Sequence, residues 1–144
     1  MGLLSFLREL ADGGGTADDK LVHQELEQVR QMAEAAERGE EMADGYVLGP
    51  KIRRRYHFVG SVQGVGFRFT TTNLASAVGA TGWVRNEHDG SVTVEVQGIV
   101  EQIDAVIAGL NRYYNGSRWL GGFTIDDVKD IPVVDQEFGF EPLY

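Results

Sequence analysis

The 144-residue sequence predicts an α+β fold: a ferredoxin-like βαββαβ domain whose antiparallel sheet carries two helices on one face, preceded by a helical N-terminal extension. Three observations predict it. From Lys51 onward, apolar residues recur in the order strand, helix, strand, strand, helix, strand. Each helical stretch in that half has a single apolar stripe, which suits covering a sheet rather than filling a bundle. Before Lys51 only helical periodicity occurs, and acidity concentrates there. Residues 1–50 hold four Lys/Arg against eleven Asp/Glu, whereas residues 51–144 hold nine against eleven. The chain therefore divides into an acidic helical extension with its linker, 1–50, and a second unit, 51–144.

In chain order, LLSFLREL places Leu3, Phe6, Leu7 and Leu10 on one helical face, and DGGGTADD breaks it, since consecutive glycines lose the most entropy on ordering. Asp18 or Asp19 is a plausible N-cap for a second helix running to about Ala43. Its stripe is Val22, Leu26, Val29, Ala33 and Ala36. Such spacing suits a short coiled-coil seam or docking on a neighbouring domain, so residues 18–43 offer a surface for a protein partner or self-association. A solvated acidic helix that packs weakly is the alternative. DGYVLGP then supplies turn-forming residues.

RRRYHFVGSV reads as the first strand, with Tyr56 and Phe58 on one face. Phe67, Leu74, Ala75 and Val78 mark the following helix, closed by Gly79. TGWVRN is a second strand, Asp89-Gly90 the hairpin turn, and SVTVEVQG the third strand, its Val92, Val94 and Val96 alternating with Thr93 and Glu95. Ile99, Ile103, Val106, Ile107, Leu110 and Tyr114 mark a second helix. FTIDDVKDIPVV offers a fourth strand and EFGFEP a short fifth. Asp126-Asp127 reads as a strand irregularity or a solvated edge.

Composition narrows the function. With no cysteine there are no disulfides, thiolate metal sites or cysteine nucleophile, and a reducing cytoplasm is the expected home. No apolar run approaches a membrane span, and the opening lacks a basic n-region. Gly2 does not make a myristoylation signal, because Phe6 stands where Ser or Thr is required. A net charge of −9 argues against a nucleic-acid partner. So do His57, Val59, Thr93 and Glu95, which occupy central strands where an RNA-binding sheet would carry aromatics. His23, His57 and His88 lack metal-ligand spacing, and the consecutive Glu87, His88 and Asp89 do not converge on one ion. Arg53, Arg54 and Arg55 are expected to keep the sheet's start soluble, with some attraction for anions. Trp83 is expected in the core.

The chemistry gathers at VQGVGFR, where a strand runs into a helix through glycine. Such a corner converges backbone N–H groups on a helix N-terminus, whose first donors lack partners and which favours an anion the size of phosphate. Arg68 then sits in the first turn, unfavourable against the helix dipole unless an anion lies between them, and its planar donors grip phosphate oxygens in pairs. A plain turn explains the glycines equally well at this point. Neither a P-loop nor a dinucleotide fingerprint is present. Asn86, ending GWVRN, either shapes the turn or holds a water molecule through its amide.

VQGVGFR followed by GWVRN, then DGSV and VQG, with Thr71, Gly79, Gly82 and Trp83 between, closely resembles the acylphosphatases. The resemblance covers residues 53 to about 114 well and extends more loosely to the C-terminus. It implies hydrolysis of a small-molecule acyl phosphate to carboxylate and phosphate, with no metal, cofactor or covalent intermediate. The N–H groups of Gln63, Gly64, Val65, Gly66, Phe67 and Arg68 would cradle the phosphate, the Arg68 guanidinium would bind it, and Asn86 would orient the attacking water. A non-catalytic phosphate-anhydride-binding or interaction module is the alternative. The acylphosphatase-like front domain of large hydrogenase-maturation proteins fits less well, since Phe69 follows the arginine where those proteins usually have proline. YYNGSRWLGG lacks the proline-containing turn often found in the family, which leaves open whether segment 113–122 changes substrate choice, and Trp119 would touch the extension or line the site.

Overall fold

Two-residue alternation sorts the faces of the sheet. β1 (Ile52–Gly60) turns Tyr56 and Phe58 to one side, and β3 (Val92–Gly98) turns Val92, Val94 and Val96 to the same side, all of them buried. The computed structural model describes residues 19–42, 45–116 and 121–144. The first expected helix, residues 3–10, and Trp119 lie outside them. The remaining elements are α1 (Asp19–Glu37), α2 (Phe67–Val78), β2 (Thr81–Asn86), α3 (Val100–Leu110) running into a π-helical turn (Asn111–Asn115), β4 (Phe123–Ile131) and β5 (Phe140–Leu143).

The sheet order is β4-β1-β3-β2-β5. β1 runs antiparallel to both β3 and β4, and β2 antiparallel to β3, as the ferredoxin-like plan requires. The fifth strand departs from a purely antiparallel sheet, because β5 pairs parallel with β2, Gly82 opposite Phe140. The register of β1 and β4 shifts between His57 and Phe58, which is the irregularity expected around Asp126-Asp127. Gly82 meets a tight constraint: a Cβ there would stand 1.9 Å from the Glu95 carbonyl oxygen of β3. Gln102 secures the start of α3, its Oε1 accepting from the Ile99 N–H at 2.8 Å and its Nε2 donating to the Val78 carbonyl of α2 at 2.7 Å.

An aromatic cluster fills the space under the site-bearing end. The rings of Phe58 and Phe67 lie 5.0 Å apart, and those of Phe67 and Tyr114 lie 5.2 Å apart. The Tyr114 hydroxyl, carried by the π-helical turn, donates to the Val65 carbonyl at 3.1 Å.

The extension joins this core. Leu26 and Val29 of α1 belong to the same buried cluster as Phe67, Val78 and Ile103, with Met32 buried beside them and Val22 packed against it. The apolar stripe is thus used within the chain, on the outer side of α2 and α3, rather than left for a coiled-coil seam. Ala33 and Ala36 are only half-buried. α1 ends at Glu37, six residues before the expected Ala43. Gly39 adopts φ +71°, and the Gly39 and Glu40 N–H groups return to the Ala36 and Ala35 carbonyls.

Two expectations are corrected on the face that no helix covers. Trp83 is not in the core: Gly82 and Val84 take the helix-facing positions, so Trp83 points the other way, half-exposed, with the Arg85 guanidinium 4.9 Å from its ring. Arg53 is not a solubilising charge. It is 2% exposed, its Nε donating to Glu95 at 2.9 Å and its Nη1 to Glu137 at 2.8 Å. Gln97 exchanges two hydrogen bonds with Val134, so the β4–β5 connection is tied across this face.

Glu101 is 1% exposed, and neither carboxylate oxygen has a hydrogen-bond partner among the described residues. Burial pushes its carboxyl above the usual range, with the Asp104 charge adding to the effect and its own backbone N–H opposing it. A raised folded-state pKa means that this group's contribution falls as pH climbs from the ordinary carboxylate value through the folded one. Glu101→Met is expected to stabilise the protein by about 1 kcal/mol at pH 7, with the gain shrinking toward pH 4, as read by denaturant unfolding at the two pH values.

Candidate active site

β1 ends at Gly60, and α2 begins at Phe67 after six intervening residues. Gly64 and Gly66 hold φ of +76° and +74°, a left-handed conformation that side-chain-bearing residues resist, and a Cβ at either would meet no other atom within 4 Å. The loop therefore presents bare backbone to open space. The first N–H of α2 to reach a carbonyl is that of Thr70, to Gly66 at 2.9 Å. Among the described residues, no carbonyl accepts from the N–H groups of Gln63 through Phe69. No acidic side chain occupies the first turn of α2, so the positive end of its dipole is uncompensated.

Arg68 stands in that first turn as expected. Its Nη1 donates to the Leu143 carbonyl of β5 at 3.1 Å, and its guanidinium lies 4.5 Å from the centre of the Tyr144 ring. Asn86, at the end of β2, is on the helix-facing side, in phase with Gly82 and Val84. Its Oδ1 is buried with no partner among the described residues. A cleft of about 310 Å³ is lined by Gly64, Gly66, Arg68 and Asn86 together. The loop, the cation and the carboxamide, proposed from separate motifs, converge on one opening large enough for a phosphate. Among the described residues, Arg68 carries the only charged side chain lining it.

Gln63 and Val65 do not line the cleft. Val65 packs against the core, and the Gln63 side chain does something that reading the motif for its backbone did not anticipate. Gln63 Nε2 donates to the Glu87 carbonyl at 2.8 Å and to the Ser91 carbonyl at 2.9 Å. Both amide protons are thereby spent on the hairpin that follows Asn86, whose neck is closed by the Glu87 N–H to Ser91 carbonyl bond at 2.8 Å. The carboxamide is a strut between the anion loop and the strand end bearing Asn86. A glutamine beside glycines was the available signal, but its reach depends on a hairpin 24 residues away.

The hairpin is held on the uncovered face as well. His57 contacts Asp126 through Nδ1 and Ser91 Oγ through Nε2 at 2.8 Å, and the Ser91 N–H donates to Asp89 at 3.0 Å. The Arg85 guanidinium, through its hydrogen bond, holds the Glu87 carboxyl below the usual range, and Ser91 does the same for Asp89. These groups are engaged in shaping the turn. Among the described residues, no cluster of His, Cys, Asp and Glu is placed to hold a metal ion.

Comparison with known proteins agrees with the fold and motif order. The acylphosphatase family model matches residues 54–130. The acylphosphatase of Oceanobacillus iheyensis is 52% identical over 85 residues, which span 59% of this chain and 90% of that protein. The acylphosphatase of Bifidobacterium longum is 41% identical over 85 residues, 59% of this chain and 84% of that protein. The crystal structure of acylphosphatase from Bacillus subtilis superposes with a TM-score of 0.54 at 26% identity, covering 65% of this chain and 99% of that one.

Gln63→Leu is expected to leave the fold intact while releasing the hairpin. Hydrogen exchange at the Glu87 N–H should accelerate by roughly tenfold, the effect of losing about 1.4 kcal/mol of local protection, whereas exchange in β3 stays unchanged.

Proposed function

The chain belongs to the acylphosphatase family and is an enzyme of that class, and we propose that it performs the reaction in the cleft between the α2 N-terminus and the end of β2. The observation that carries this reading is the joint presence, in one opening, of unpartnered backbone donors, a single cation and an unpartnered carboxamide oxygen. The substrate phosphoryl group sits on the N–H groups of the Gly64–Arg68 stretch, with the Arg68 guanidinium drawn from the Leu143 carbonyl onto the phosphoryl oxygens. The charge-assisted bonds to a dianion outweigh the neutral bond given up.

Asn86 Oδ1 accepts from a water molecule and aims its oxygen at phosphorus. A carboxamide is too weak a base to deprotonate that water, and it does not need to. As the water oxygen bonds to phosphorus, the phosphorus–acyl oxygen bond breaks and the carboxylate departs with the electron pair. One water proton passes to a phosphoryl oxygen, so the products are carboxylate and inorganic phosphate. Because a carboxylate is a weak base, the leaving group needs no general acid, in keeping with a cleft lined by no His, Asp or Glu among the described residues. Positioning and charge stabilisation remain as the work of the site.

The partner is a small acyl phosphate rather than a nucleic acid. Among the described residues, no helix is long and apolar enough to cross a membrane. A cytoplasmic setting, the default for a cysteine-free chain, is part of the proposal.

Acyl phosphate hydrolysis with EDTA present tests the assignment. Asn86→Ala should lower turnover by roughly 10²–10³, while the inhibition constant of inorganic phosphate moves by less than about threefold. Arg68→Ala should instead remove measurable phosphate inhibition. Full-rate hydrolysis by Asn86→Ala protein would show that the water is held elsewhere.

A further inference from the structure

The cleft has a second end that the phosphoryl chemistry does not use. Phe67 and Phe69 sit two positions apart on α2, about 200° around the helix, so one enters the core and the other cannot. Phe67 is 2% exposed and Phe69 72% exposed. Phe69 lines the cleft immediately beside Arg68, together with Pro142 and Tyr144 of the β5 end. Tyr144 is 96% exposed, yet its ring lies over the Arg68 guanidinium at 4.5 Å. Two exposed aromatic side chains thus border the opening that Arg68 also lines.

Little polar capacity is left at this end. The Thr72 hydroxyl donates to the Arg68 carbonyl at 2.7 Å, and proline has no N–H. Among the described residues the cleft has no charged side chain beyond Arg68, and the Tyr144 hydroxyl is the polar side-chain group that remains at this end. With Arg68 on the phosphoryl group, a carboxylate or ammonium on an acyl group would meet no opposite charge there, and burying such a group unpaired is costly. A flat apolar group would meet the exposed Phe69 and Tyr144 side chains, whose rings can stack on it.

We infer that Phe69, with Tyr144 and Pro142, forms an acyl-group subsite that selects uncharged, flat apolar acyl phosphates, aroyl phosphates above all, over acetyl phosphate. This rests on the phosphoryl site proposed above. Contacts to the acyl group are made equally before and during phosphoryl transfer, so the selectivity appears in KM rather than in kcat.

The full chain is tested in two ways. The first compares kcat/KM for benzoyl phosphate and acetyl phosphate. The ratio should favour benzoyl phosphate by roughly tenfold or more and collapse about tenfold in Phe69→Ala through KM, a size expected for one apolar contact surface. Phe69→Tyr should restore it. The second uses non-hydrolysable probes, comparing the Kd of phenylphosphonate with that of methylphosphonate by calorimetry. Phenylphosphonate should bind about tenfold tighter, and the preference should vanish in Phe69→Ala. If the protein hydrolyses neither acyl phosphate but keeps the phosphonate preference, the catalytic assignment fails and the subsite stands. A preference that is absent in the unmutated chain, or unchanged by both Phe69→Ala and Tyr144→Ala, overturns the subsite.

Discussion

Two hydrogen bonds from one carboxamide set the spacing on which the site depends. The anion loop belongs to the β1–α2 corner and Asn86 to the end of β2; the sheet sets these ends one strand apart, with Phe58 and Asn86 both paired with Val92 of β3. Gln63 spends both of its amide protons on the carbonyls of Glu87 and Ser91 and so joins the two. Its own polar demand is met by that junction. Around the site, the groups left without partners among the described residues are the loop N–H groups and Asn86 Oδ1. Leaving polar groups unpaired costs stability, and a phosphoryl group with its water is the combination that supplies donors and acceptors to both at once.

The parts of the fold governed by local periodicity were legible in the sequence. β2 and β3, the start of α2 at Phe67 and its end before Gly79 follow from alternation and glycine placement alone. The convergence of Arg68 and Asn86 was legible only because the order of strands around the first helix was. What was not legible depends on distant residues. Arg53 is buried because Glu95 and Glu137 meet it from β3 and from the strap before β5. Trp83 was misplaced because an indole between Gly82 and Val84 was read as a core residue, although alternation along β2 puts it opposite both. The Gln63 strut needed the hairpin in place. Gly39 was a missed local signal, since it terminates α1 by ordinary left-handed capping.

The extension changes the architecture around the site without entering it. Leu26 and Val29 complete a core that otherwise ends at the backs of α2 and α3. α1 thereby buttresses the helix whose N-terminus faces the cleft, while its Glu34 and Glu37 stay in solvent. The aliphatic stem of Arg30 comes against Gly79, at the C-terminal end of α2, while its guanidinium pairs with Glu27 and Glu34 of α1. Packing on that side therefore supports the same helix that carries the anion site at its other end.

The way the sheet finishes on its two sides has a bearing on how the molecule meets copies of itself. β5 contains Pro142, which has no N–H to offer a newcomer, and it runs only from Phe140 to Leu143. The opposite border, β4, carries Asp126, Asp127, Lys129 and Asp130 within five positions. An unfamiliar strand approaching the first border finds a gap in the donor row, and one approaching the second must desolvate a row of charges. Lateral growth into fibrils is discouraged at both margins by the residues that also complete the enzyme.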